Sequence, residues 1–165
     1  MSTERDKSHR GNASQFFVAA ELCRLGYVAV VTMGNTPNTD VLCSNRAGTK
    51  FVHIQVKTFV PGKMTCSVGL KAERNFGRNF FWVLGGIPLP GSNKSFEYFI
   101  IPASHMARNV VEVHRRWLNT PGKNGRVHQN NRMRAVGVGS KCYPYFWSVT
   151  KYQNRWDLIT KRLDG

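Results

Sequence analysis

A chain of 165 residues with 24 Lys and Arg against 9 Asp and Glu, a formal charge of +15, can bury one core without covalent staples, and its excess of cations favours a polyanionic partner. A membrane is set aside, because no apolar run approaches the roughly 18 residues a span needs, the opening stretch is polar, and the basic residues are scattered rather than gathered on an amphipathic helix. The four cysteines stand too far apart for a Cys-x-x-Cys pair and the five histidines are isolated, which leaves reduced thiols in a cytoplasm as the expectation and offers no local zinc motif.

Residues 1 to 10 read as a mobile basic leader, and 11 to 165 as a single domain. From Asn12 to Leu25 the apolar positions Val18, Ala19, Leu22 and Leu25 recur at helical spacing, with Asn12 or Ser14 as cap and Gly26 as terminator. Tyr27 to Thr32 and Asp40 to Cys43 read as short strands separated by a polar loop, and Lys50 to Val60 as a longer third strand. Two more strands are expected at Phe80 to Leu84 and Phe96 to Ile101. A second helix follows from Pro102 to Leu118, with Met106, Val110, Val113 and Trp117 on one stripe. Residues 119 to 142 read as a long basic loop, and Trp156 and Leu158 as a return to the core.

The third strand alternates most clearly. With a side-chain period of two, Phe51, His53, Gln55 and Lys57 share one face, while Val52, Ile54 and Val56 take the other. A helix introduced by Gly-Asn, then an Asp opening a short strand, then a hydrophobic strand containing Gln-Val-Lys, resembles the PD-(D/E)XK nuclease superfamily. The segments GNTPNTDVLCSN, IQVKT, YFIIPASHM, RRWLNTPGKNGRVH and RWDLI are similar to an uncharacterised bacterial branch with the Gln-x-Lys form of the motif. The resemblance implies an α/β fold with a restriction-endonuclease-like core, in which a helix precedes a mixed β-sheet flanked by helices.

It also implies a metal-dependent endonuclease acting on nucleic acid, DNA favoured, with magnesium or manganese as cofactor. Asp40 and Gln55 would be metal ligands together with the backbone carbonyl of Val56, and Lys57 would orient the nucleophile or stabilise the transition state. Where many members carry a Glu on the first helix, this chain has Gln15, on the same helical face as Val18, Ala19 and Leu22. Glu21 is the nearby carboxylate, at the edge of that face. Candidate nucleic-acid contacts are His53, the cluster Lys71, Arg74 and Arg78, and the loop residues Lys123, Arg126, His128, Arg132 and Arg134. A homodimer is the expected assembly for cutting two strands. The alternative readings are a nuclease-fold protein that binds nucleic acid without cleaving it, and a subunit whose basic face docks an acidic protein.

Overall fold

The computed structural model describes residues 4–33, 36–139 and 146–165, with side chains from Lys7 onward. Its centre is a five-stranded mixed sheet built from β1 (Val28–Val31), β2 (Val41–Ser44), β3 (Phe51–Phe59), β5 (Phe80–Gly86) and β6 (Glu97–Pro102), in the order β1-β2-β3-β5-β6. The first three strands run antiparallel, β3 and β5 are parallel, and β6 closes the sheet antiparallel to β5. A second, two-stranded sheet pairs β4 (Thr65–Ser67) with β7 (Ala135–Gly137).

Strand alternation divides the hydrophobic residues between two layers. On one face Val41, Cys43, Val52, Ile54 and Val56 pack under the helices α1 (Glu4–Arg24) and α3 (Asp157–Asp164), which contribute Val18, Leu22, Ile159 and Leu163. On the other face Phe59, Trp82, Leu84, Phe99 and Ile101 meet α2 (Ala103–Asn119) through Met106 and Val110, and the small sheet through Cys66 and Val136. Because β5 is covered on both faces, all seven of its residues are buried. The second layer stops short of β1 and β2, so the face of β3 that carries Phe51 and His53 is open, and the same face closes over at Phe59.

Three expectations need correction. The first helix begins at Glu4, so the segment read as a leader is, from Glu4 on, the opening of α1. Ser14 is not a cap but a fully buried residue, packed so tightly on β5 that a Cβ on Gly85 would overlap its hydroxyl. Only glycine admits this approach of helix to sheet. The basic segment after α2 is not one loop, since it holds a 3₁₀ turn at Lys123–Gly125 and then β7. Residues 140–142 of that segment lie outside the described residues. Trp156 is buried and Leu158 packs against both layers, as the sequence suggested.

Candidate active site

Asp40 is fixed by its own backbone before its side chain does anything. The turn at Pro37 and Asn38 needs a left-handed residue, and Asn38 takes φ 61. Beyond it the Asp40 N–H donates to the Ile54 carbonyl and the Asp40 carbonyl accepts from the Thr32 N–H, each at 2.9 Å, so the residue is stitched between β1 and β3. Val41 opposes Ile54 in the antiparallel register, and one step back sets Asp40 against Gln55. Opposed residues in such a pair project to the same face, which brings the two side chains into contact. Gln55 Nε2 donates to Asp40 Oδ2, and the Val56 N–H donates to the same oxygen at 2.7 Å.

Lys57 follows on the same face of β3, half-buried and close enough for its charge to act on Asp40. Lys71 does the same from the 3₁₀ turn Leu70–Glu73, which is anchored by buried Ala72. Burial nevertheless dominates: it holds the Asp40 carboxyl above its ordinary range, against the opposing pull of the Val56 N–H, Lys57, Gln55 and Lys71. A carboxylate that is costly to ionise in the free protein is poised to gain from a cation.

The donor set suits a hard dication only in part. Asp40 supplies one carboxylate, and the described residues contain no cluster of three or more His, Cys, Asp or Glu able to hold a metal. Magnesium accepts this pattern when it keeps several waters and takes further oxygens from a substrate phosphate. Gln55 donates its N–H to Asp40, so acting as a ligand means presenting its carbonyl oxygen instead.

The two carboxylate substitutes on α1 are placed differently. Gln15 is half-buried and directly follows Ser14, whose contact with Gly85 brings this turn of α1 to the level of Thr58, the β3 residue in register with Gly85. Glu21 is bonded to Arg24 at 2.7 and 2.8 Å within its own helix, and its charge is felt by Tyr98 on β6. Neither is among the hydrogen-bond partners of Asp40 in the described residues.

Beside the Asp40 cluster, His53 opens onto a groove of about 780 Å³ lined by Lys50, Phe76, Arg78 and Arg162 among others. Its cations are accompanied by no acidic side chain in the lining. The His53 ring is held through Nδ1 by the Thr39 hydroxyl at 3.1 Å, which ties the groove to the residue before Asp40. Arg74 is exposed, with its guanidinium 5.2 Å from the Phe76 ring centre. Lys50, Phe76 and Arg162 were not foreseen; they are scattered in sequence, and only the fold gathers them.

The basic segment after α2 splits into different roles. Lys123, Arg126 and Arg132 are exposed, whereas the His128 ring lies 4.1 Å from that of Trp117. Arg134 overturns the expectation of a phosphate contact, being only 6 % exposed. It bonds to Glu73 at 2.5 Å and to the carbonyls of Asn131 and Met133, which satisfies its charge internally.

No family model and no curated protein matches the chain. Among solved structures, the chain is similar to a bacterial homing endonuclease, I-Ssp6803I, at 14% identity and a TM-score of 0.54, over 98% of this chain and 95% of that one. A second similar structure is Hjc, a Holliday junction resolvase from the archaeal hyperthermophile Archaeoglobus fulgidus, at 14% identity, a TM-score of 0.42, and coverage of 79% and 91%. The homing-endonuclease likeness spans nearly the whole chain and concerns the fold. That fold is a mixed α/β one, a helix preceding a mixed β-sheet flanked by helices, as the sequence resemblance implied.

Proposed function

We propose that this protein is a metal-dependent endonuclease that hydrolyses phosphodiester bonds in nucleic acid, with DNA the favoured substrate. The observation that carries the reading is the convergence of Asp40, Gln55 and Lys57 on one sheet face, beside a groove walled by Lys50, Arg78 and Arg162. Asp40 and the carbonyl oxygens of Gln55 and Val56 would hold magnesium or manganese, whose chemistry is to neutralise phosphate charge and acidify the attacking water. Lys57 faces the charge that grows on the phosphate as water adds and the bond to the leaving oxygen breaks. Lys71 adds a second cation on the same side.

A second reading has its own support. With a single carboxylate already bonded to Gln55 and to the Val56 N–H, the same fold could bind nucleic acid without cutting it. Incubation of supercoiled plasmid in magnesium, in manganese and in EDTA separates the two. Nicking that needs the metal and vanishes in Asp40→Ala supports the enzyme, whereas tight binding with no nicking in either metal supports the binder.

A homodimer belongs to the leading reading, because two sites are needed to cut two strands. Val28 and Val30, 51% and 52% exposed on the edge strand β1, supply an apolar surface for it, to be checked by sedimentation. The described residues contain no helix long and apolar enough to cross a membrane. We place the protein in the cytoplasm, where its cysteines would stay reduced; burial pushes the Cys43 and Cys66 thiols up to about 12, which leaves them inert.

A further inference from the structure

A cavity of about 250 Å³ lies between α2 and the β4/β7 sheet, in the layer that packs on the same sheet face as Asp40, and none of Asp40, Gln55 or Lys57 lines it. Its walls include the rings of His114, Trp117 and Phe146, the side chains of Val113 and Met133, and Arg134. It is smaller than the roughly 300–1,000 Å³ of sites for drug-sized ligands, and so is scaled to a single ring system. Two observations bear on its occupant. His114, Trp117 and His128 already form a ladder of rings, with centres 5.5 and 4.1 Å apart, and His114 is held by Asn130 at 2.9 Å. The exposed cation Arg132 stands between the lining residues Asn131 and Met133, and Lys123 and Arg126 are exposed on the segment that carries His128, whereas Arg115 lies with Glu112 on another side of α2. A flat apolar ring attached to an anionic chain meets both conditions.

We propose that this cavity receives one unpaired nucleobase of a bound nucleic-acid strand. The base would insert against the ring wall of His114 and Trp117, with Met133, 71 % exposed, folding over its other side. Arg132, Arg126 and Lys123 would hold the flanking phosphates. Every base has a π-face, so such a pocket selects for a base out of its helix rather than for a sequence. The cavity is also joined to the candidate active site, because Arg134 in its wall is bonded to Glu73, two residues from Lys71 on the same 3₁₀ turn. Nucleic acid with an unpaired base is therefore the ligand class. This rests on the reading that the chain binds nucleic acid, but not on its cutting it.

Fluorescence anisotropy in EDTA tests the proposal with three labelled probes: a perfect duplex, the same duplex with one bulged adenine, and that bulge made abasic. Wild type should hold the adenine bulge about tenfold tighter than either other probe, the scale of one base–aromatic stack. Val113→Phe, which fills the cavity, and Met133→Ala, which strips its exposed wall, should each erase that preference while perfect-duplex affinity stays unchanged. Equal affinity of wild type for all three probes overturns the proposal and leaves the cavity to another occupant, such as an apolar side chain of a partner protein. A preference that survives both variants overturns it too, by placing the bulged base elsewhere. Metal-dependent nicking of plasmid, run separately, reports on the nuclease reading whichever way the anisotropy falls.

Discussion

Asp40 carries an energetic signature of its burial. Its carboxyl is held above the usual range chiefly by burial, so the free protein binds that proton more tightly than the unfolded chain does. The contribution to stability is present below the ordinary carboxylate range and lost as pH rises through the raised value. Once ionised, the half-buried Asp40 therefore works against folding. Asp40→Asn should melt higher than wild type at pH 7, and the gain should shrink towards pH 4. A lower melting temperature for Asp40→Asn at pH 7 would show that the hydrogen bonds from Val56 and Gln55 outweigh desolvation. Arg134 and Arg132, two residues apart, should part company in the same experiments. Arg134→Ala leaves Glu73 without its buried partner and should cost about 3 kcal/mol of stability. Arg132→Ala should leave the melt unchanged and weaken DNA binding. The reverse ordering in denaturant titrations would contradict the assignment of Arg134 as internal.

At the scale of elements, the question is how α1 reaches the site. The close packing of Ser14 on Gly85 sets the turn that carries Gln15 at the level of Thr58, on the sheet face opposite to Lys57. If Gln15 borders the metal position, Gln15→Glu adds an anionic oxygen with little change in shape, and half-maximal nicking should move to lower magnesium. An unchanged magnesium requirement would place Gln15 outside the site. Much of this frame was legible in the sequence. The strands and α2 carry apolar periodicities long enough to read, and the alternation along β3 separated Gln55 and Lys57 from Val52, Ile54 and Val56. The strands β4 and β7 are three residues each, too short to show a period. The last helix carries a signal in the spacing of Trp156, Ile159 and Leu163. The start of α1 was misplaced because Asn12 and Ser14 resemble caps, and only the packing on Gly85 shows that Ser14 is internal. Arg134 could not be told from Arg132, since its partner Glu73 lies 61 residues away.

The whole molecule is defined by charge. A formal +15 on 165 residues attracts polyanions at long range, and in the proposed function the groove of Lys50, Arg78 and Arg162 is where nucleic acid would dock. With about six phosphates neutralised, affinity for a duplex should fall roughly a thousandfold between 50 and 200 mM salt. A flat salt dependence would remove the electrostatic argument. Charge is legible in composition, but the groove depends on tertiary structure, because its cations come from the residue before β3, the approach to β5 and α3. The central claim is that this basic surface delivers a phosphodiester to Asp40, Gln55 and Lys57 for cutting. Its most direct test is the rate of plasmid nicking in magnesium, measured beside duplex affinity on the same samples of wild type, Asp40→Asn and Lys57→Ala. The account predicts that both variants bind within a few-fold of wild type, while nicking falls by about a hundredfold or more. Nicking by Asp40→Asn at the wild-type rate would contradict it.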